Sequence, residues 1–194
     1  MSEIFHIGSA GQWVGRDDAW SGQHVFDHRL APVIVRMLRE LQVKSVFDFG
    51  CGNGAYTTYF TEQGLPCKGF DGNPHTEEVT QGQCHVQLLN VPFDLGEQAD
   101  AVLCLEVGEH VPAEYESILL DNLCNHAKSY MVLSWAVVGQ DGCGHVNCQD
   151  NGHVIDRMKE HGFELMKPET DFLRRAEHCH CWYFQNSLMV FRRV

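Results

Sequence analysis

Short apolar runs alternate with longer amphipathic segments along most of the chain. Apolar residues recur at helical spacing over residues 25–41, 55–63, 114–124 and 154–161, which predicts four helices. Apolar runs bounded by glycine, proline or polar residues predict seven strands, at 46–49, 67–70, 86–89, 101–105, 130–135, 163–166 and 182–191. Strands that alternate with helices in this way are typical of a parallel α/β sheet.

The end of the pattern differs, because no helix is predicted between the last two strands. We therefore expect an α/β domain with a mostly parallel seven-stranded sheet, an antiparallel last strand and helices on both faces. The 194 residues predict a single domain, 1–194. Within it, residues 1–24 form an N-terminal lid segment that we expect to be irregular or partly helical.

A glycine-rich loop follows the first strand. Asp48 lies in that strand, and Gly50, Cys51, Gly52 and Gly54 come before the next helix. Glycine allows a tight turn and a close approach of backbone to a ligand, which the free N–H groups at the helix start also face. About twenty residues further on, Asp71 ends the second strand, where a carboxylate can accept hydrogen bonds from both hydroxyls of a ribose. The loop fits NAD as G-x-G-x-x-A, or S-adenosylmethionine (SAM) as D-x-G-x-G-x-G.

Three features favour SAM over NAD. Asp48 and Gly54 match the longer motif, the sheet finishes with two consecutive strands, and the chain leaves little room for a separate substrate domain. From about residue 25 to its end, the chain thus resembles the class I SAM-dependent methyltransferases, which have a Rossmann-like fold. The resemblance implies that Asp48 and the loop residues surround the methionine part of SAM and that Asp71 holds the ribose. By the same resemblance, the remaining cofactor contacts are Gly72, Asn73, Asn90, Val91 and Glu106.

Three ionisable residues follow the strand at 101–105, namely Glu106, Glu109 and His110. Two carboxylates and an imidazole suit a divalent cation such as Mg²⁺, Mn²⁺ or Fe²⁺. This E-x-x-E-H pattern is similar to that of plant small-RNA 3′-end 2′-O-methyltransferases, and ubiquinone-pathway O-methyltransferases have a similar segment. In the RNA enzymes a histidine after the fifth strand completes a Mg²⁺ site, which implies His145 here, with His153 as the alternative.

These four residues (Glu106, Glu109, His110 and His145) are our candidate catalytic and metal-binding residues. Two other interpretations stay open for the segment. His110 can act as a metal-free general base, since imidazole titrates near neutral pH. The segment can also have a purely structural role.

The net charge of the chain limits the kinds of binding partner that we expect. The chain has 14 Lys and Arg against 26 Asp and Glu, a formal net charge of −12. An acidic chain gains little by displacing counterions from phosphates, so we expect a small-molecule substrate and no nucleic acid. No apolar run reaches the roughly 18 residues of a membrane span, and no secretory signal is recognisable, so we expect a cytoplasmic protein without membrane contact.

The predicted function is SAM-dependent O-methylation of a small hydroxylated molecule with help from a divalent metal. A hydroxyl must lose its proton to react, which a metal favours, whereas an amine needs no metal. Candidate substrate contacts are Trp20 in the lid, Trp135 at the end of a strand, and Arg174 and Arg175 between the last two strands. The alternatives are an RNA 2′-O-methyltransferase, a metal-independent N-methyltransferase of a small molecule, a non-catalytic SAM-binding subunit, and an NAD-dependent enzyme.

Overall fold

The computed structural model describes residues 5–16 and 24–194. A hairpin of β1 (His6–Ile7) and β2 (Trp13–Val14) comes first. The other strands are β3 (Val46–Phe49), β4 (Cys67–Asp71), β5 (Cys84–Val86), β6 (Ala99–Cys104), β7 (Ala127–Leu133), β8 (Phe163–Leu165) and β9 (Met189–Arg193). The α-helices are α1 (Leu30–Glu40), α2 (Ala55–Glu62), α3 (Thr76–Val79), α4 (Glu116–His126), α5 (Asn151–Glu160), α6 (Lys167–Leu173) and α7 (Phe184–Ser187).

Strands β3 to β9 form one sheet in the order β5-β4-β3-β6-β7-β9-β8. The pairs among β3 to β7 are parallel, whereas β9 runs antiparallel to both β7 and β8. All four residues of β3 are buried because apolar clusters cover both faces of the sheet, one around Phe49 and Leu119 and the other around Ile34 and Phe60. The predicted fold class is confirmed.

Three of the predicted elements differ from those observed. The third strand is Cys84–Val86 rather than 86–89, since Val86 already pairs with Asp71 at the end of β4. The last strand begins only at Met189, and α6 and α7 lie between the last two strands, where no helix was predicted. Phe184 and Leu188 are both buried four residues apart, a helical spacing within a stretch interpreted as a strand. The described part of the predicted lid, expected to be irregular or partly helical, contains the β1–β2 hairpin.

A buried carboxylate joins the start of α1 to the C-terminal third of the chain. One oxygen of Asp27 accepts hydrogen bonds from the N–H groups of Arg29 and Leu30, each at 3.0 Å. The other accepts from the N–H groups of His180 and Cys181, at 2.7 and 2.8 Å. Asp27 therefore holds two segments that are distant in sequence against each other.

We expect Asp27→Ala to lower the free energy of unfolding by about 2–4 kcal/mol, because four backbone donors lose their acceptor. Urea unfolding followed by circular dichroism would measure this. The control is Asp94→Ala, which removes an exposed carboxylate that accepts from a single backbone N–H, that of Gly96. Equal stability of the two variants would contradict the role given to Asp27.

Candidate active site

A cavity of about 390 Å³ lies where the carboxyl ends of β3, β4, β6 and β7 meet. Loops that follow parallel strands converge at this edge, which is where such sheets bind ligands. One part of the wall is formed by Gly50, Cys51, Asn53, Asp71, Gly72 and Asn90, and another by Glu106, Glu109, His110, Gln140 and His145. Aromatic residues complete it, namely Trp13, Phe26, Tyr56, Trp182, Tyr183 and Phe184.

The glycine loop is shaped by its own conformation and by Asp71. Gly50 has φ +78° and lies against the side chain of Val107, so a Cβ there would overlap that side chain. Gly52, at φ +56°, similarly lies against His24. The Asp71 carboxylate accepts hydrogen bonds from the N–H groups of Gly52 and Asn73, both at 2.8 Å. Asp71 therefore holds the loop as well as lining the cavity.

The predicted adenosine contacts divide into two groups. Asn90 lines the cavity, and its buried Oδ1 has no hydrogen-bond partner among the described residues. The side chain of Asn73 is instead used within the protein, because Nδ2 donates to the carbonyl of Gly15 at 2.9 Å. Val91 is exposed and lies outside the cavity wall. Of these residues, Asn90 therefore remains available to a ligand.

Glu109, His110 and His145 come together at the other end of the cavity. Their potential ligand atoms all lie within 4.8 Å of one another, and each histidine Nε2 is 4.0 Å from Glu109 Oε1. His110 Nδ1 lies 3.3 Å from the carbonyl oxygen of Gly144, and His145 Nδ1 lies 3.0 Å from that of Gln140. A carbonyl at Nδ1 favours the tautomer protonated there, which leaves a lone pair on each Nε2, the nitrogen that lies 4.0 Å from Glu109 Oε1.

The surroundings of this cluster shift the pKa values of Glu109 and His110. Glu109 is fully buried, and neither carboxylate oxygen has a hydrogen-bond partner among the described residues. Burial, followed by the negative charge of Glu106, raises the pKa of Glu109 well above its ordinary value. Burial lowers the pKa of His110 to about 4, and a smaller electrostatic effect of His145 acts in the same direction. A neutral imidazole is the form that binds a metal, and a cation here would favour the Glu109 carboxylate.

Glu106, the fourth predicted ligand, is not part of this cluster. Its backbone has φ +53°, a left-handed conformation that is rare for a residue other than glycine, and its N–H donates to Ser134 Oγ at 2.8 Å. Its carboxylate accepts a hydrogen bond from Gln140 Nε2 at 2.7 Å and lies 3.1 Å from Ser187 Oγ. The alternative ligand His153 contacts Glu116 at 2.8 Å and does not line the cavity.

Comparison with known proteins assigns the chain to a family. A profile described as a methyltransferase domain matches residues 22–187, which is most of the chain. The chain belongs to the class I SAM-dependent methyltransferases. A search of curated protein sequences gives no match.

Solved structures of methyltransferases share the fold. The magnesium protoporphyrin IX methyltransferase of Synechocystis PCC 6803, with bound S-adenosylhomocysteine, is 19% identical over 86% of this chain and 84% of its own, with a TM-score of 0.65. The amino pentose methyltransferase CalS10 of Micromonospora echinaspora, with bound SAM, is 15% identical over 91% and 95%, with a TM-score of 0.68. The methyltransferase domain of bacterial CtHen1 is 14% identical over 85% and 97%, with a TM-score of 0.60.

Three of the predicted substrate residues, Trp135, Arg174 and Arg175, are described by the structure and do not line the cavity of this methyltransferase. Trp135 is 1% exposed and its Nε1 donates to the carbonyl of Asn147 at 2.6 Å, so it packs in the core. Arg174 donates to the carbonyl of Leu188 at 2.5 Å, and the Arg175 guanidinium lies 5.0 Å from the ring centroid of Phe172. Trp20 lies outside the described residues.

The β1–β2 hairpin supplies contacts that the sequence did not reveal individually. The ring centroid of Trp13 lies 5.0 Å from that of His110 and 5.3 Å from that of His24. Gly11, at φ +85°, lies directly against the carbonyl oxygen of His110, where a Cβ would overlap it. The hairpin therefore packs onto the cluster of Glu109, His110 and His145. The glycine followed two residues later by tryptophan was the available signal, but only the fold shows what it contacts.

Asp48 is buried beneath the glycine loop of the methyltransferase. Thr57 Oγ1 donates to its carboxylate at 2.8 Å. Burial raises the pKa of Asp48 to about 7; the hydrogen bond from Thr57 opposes this, and the charge of Asp71 adds to it. The folded protein therefore retains a proton on Asp48 at pH values where the unfolded chain has lost it.

This proton makes the stability of the SAM-free protein depend on pH. Because the folded-state pKa is raised, stability falls as pH rises from about 4 to about 7, by a few kcal/mol at most. We expect Asp48→Asn to remove this part of the pH dependence, so that the variant gains relative to wild type between pH 5 and pH 8. Urea unfolding at both values measures the difference, and parallel pH profiles would contradict the assignment.

Proposed function

We propose that this methyltransferase transfers the methyl group of SAM to a hydroxyl of a small molecule, with a divalent cation held by Glu109, His110 and His145. The observation that carries the proposal is the convergence of two histidine Nε2 atoms on one oxygen of a buried carboxylate. Two imidazoles and a carboxylate form an established type of metal-binding arrangement. Backbone carbonyls at the Nδ1 atoms of the two imidazoles orient the rings, as is usual in such sites.

The cavity residues fit SAM at the end formed by the glycine loop. A cavity of about 390 Å³ is within the usual range for ligand sites. Asp71 would accept hydrogen bonds from the ribose hydroxyls, and Asn90 Oδ1, which lacks a partner among the described residues, would accept one from the adenine amino group. Asp48 and Gly50 would lie beside the methionine part. When bound, SAM supplies an electrophilic methyl group.

The residues at the other end fit a cation on two grounds. Glu109 is a buried carboxylate without a hydrogen-bond partner among the described residues, and its Oε1 lies 4.0 Å from Nε2 of His110 and from Nε2 of His145. Mixed nitrogen and oxygen donors favour Mn²⁺ or Fe²⁺ over Mg²⁺, which prefers oxygen alone. When bound, such an ion lowers the pKa of a hydroxyl and orients it. Glu109 and the two histidines would hold the ion.

Metal-free general-base catalysis by His110 is less well supported. A pKa of about 4 makes His110 a weak base at neutral pH. The Nε2 atom of His110 also lies 4.0 Å from Glu109 Oε1, and its Nδ1 lies 3.3 Å from the carbonyl oxygen of Gly144. Neither nitrogen is therefore well placed to take a proton from an acceptor.

A small acceptor is favoured over a nucleic acid. The described residues that line the cavity include Asp48, Asp71, Glu106, Glu109 and Asp141 but neither Lys nor Arg. Phosphate groups would meet carboxylates there, with no cationic side chain to bind them. The structural neighbours include enzymes named for small acceptors, a magnesium porphyrin and an amino pentose. Among the described residues, no helix is long and apolar enough to cross a membrane.

Methyl transfer from labelled SAM into a cell extract tests the proposal. The extract is separated afterwards into small molecules, RNA and protein. We expect label in small molecules, and we expect transfer to stop in EDTA and to return when Mn²⁺ is added. Label in RNA would contradict the proposed acceptor class. Full transfer in EDTA, with no metal by mass spectrometry, would contradict metal assistance.

Glu109→Gln tests the metal site directly. The variant keeps the shape of the side chain but removes the charge that binds the cation, so we expect Mn²⁺ affinity and transfer to fall by about 100-fold. SAM affinity, measured by calorimetry, should change by less than about threefold, because the cluster serves the acceptor. Glu114→Gln, an exposed carboxylate in the following turn, is the matched control. Retained Mn²⁺ affinity in Glu109→Gln would reject the site.

Asp71→Ala tests the cofactor end. We expect SAM affinity to fall by about 1–3 kcal/mol, because charge-assisted hydrogen bonds to the ribose and to the glycine loop are both lost. Calorimetry gives the affinity, and circular dichroism confirms that the variant is folded. Asp121→Ala, which removes an exposed carboxylate on α4, should bind SAM as the wild type does. Unchanged affinity in Asp71→Ala would refute the ribose assignment.

A further inference from the structure

Gln140 has a buried acceptor atom that the proposed chemistry leaves unused. The residue is 8% exposed and lines the cavity. Its Nε2 donates to Glu106, but its buried Oε1 has no hydrogen-bond partner among the described residues. Leaving a buried carbonyl unpaired is destabilising, so a ligand group that can pair with such an atom in a cavity wall is favoured.

The orientation of this amide follows from its neighbour. Glu106 presents a carboxylate oxygen 2.7 Å from Nε2, and an NH₂ group meets a carboxylate far better than a second oxygen would. Glu106 cannot readily turn away, because its backbone N–H is bonded to Ser134 and its other oxygen lies 3.1 Å from Ser187 Oγ. The free Oε1 is therefore a fixed feature of the wall.

The position of Gln140 assigns it to the acceptor end of the cavity. Its backbone carbonyl lies 3.0 Å from Nδ1 of His145, one of the proposed metal ligands. The atoms suited to the cofactor are elsewhere, on Asp71 at the end of β4 and on Asn90 in the loop after β5. A ligand group that reaches Oε1 must be an O–H or N–H, since a carbonyl oxygen only accepts. It must also tolerate the nearby carboxylates of Glu106 and Glu109.

We infer that Gln140 is a specificity-determining residue whose Oε1 accepts a hydrogen bond from the methyl acceptor. The acceptor is then a hydroxylated molecule that carries a second O–H or N–H donor near the methylated oxygen and no anionic group there. This inference rests on the proposed function, because it takes the cluster beside Gln140 as the place where the acceptor hydroxyl binds.

The test uses the 194-residue chain and the small-molecule fraction of the extract in a dilution series with labelled SAM. Gln140→Met retains the length of the side chain but lacks the acceptor, and Gln140→Leu is a second variant of different shape. The matched control is Gln149→Met: the side chain of this residue donates a hydrogen bond within the same loop, to Asn147 Oδ1 at 2.6 Å, and the residue does not line the cavity.

For both Gln140 variants we expect the half-saturating amount of extract to rise about tenfold, with a smaller change in the maximal rate. SAM and Mn²⁺ affinities should stay within about threefold of wild type, and Gln149→Met should behave as wild type. Unchanged half-saturation in both variants would overturn the inference, and so would an equal loss of SAM affinity. No transfer by the wild type would instead overturn the proposed function and the inference with it.

Discussion

Two backbone hydrogen bonds hold together the acceptor end of the site. The carbonyl oxygen of Glu109 accepts from the N–H groups of Val146 and Asn147, at 2.8 and 2.9 Å. These bonds place the loop after β7 against the turn after β6, although more than thirty residues separate the two segments. Both strands end at the same edge of the sheet, and this contact brings His145 beside His110 and Glu109.

The loop is held from behind by a buried polar network. Asn147 Nδ2 donates to the Glu116 carboxylate at 3.1 Å, and its carbonyl accepts from Trp135 Nε1 at 2.6 Å. Glu116 is also paired with His153 at 2.8 Å. Residues that looked like substrate or metal contacts in the sequence, Trp135 and His153, therefore act by positioning the loop. A cluster held this firmly is suited to a metal, whose ligands must keep their geometry.

Several polar side chains of the cavity are buried in environments that are unfavourable when no ligand is bound. Asp48 and Glu109 are carboxylates whose pKa values burial raises, and Asn90 and Gln140 each carry a buried acceptor atom without a partner among the described residues. Such groups destabilise the empty protein and favour occupancy by cationic or hydrogen-bond-donating ligands. The neighbours that share the fold are named for different acceptors, so the fold by itself does not select one.

The sequence by itself determined the sheet, the glycine loop with Asp71 and the E-x-x-E-H segment, because each depends on periodicity or spacing within a few residues. The tertiary structure alone decided that Glu106 is not one of the three clustered candidate ligands, since its hydrogen bonds are with Ser134, Gln140 and Ser187 from distant segments. It also decided the hydrogen bonds that Gln140 and Asp27 make. Which polar atoms find partners, and which remain free for a ligand, is settled only when loops distant in sequence are packed at one edge of the sheet.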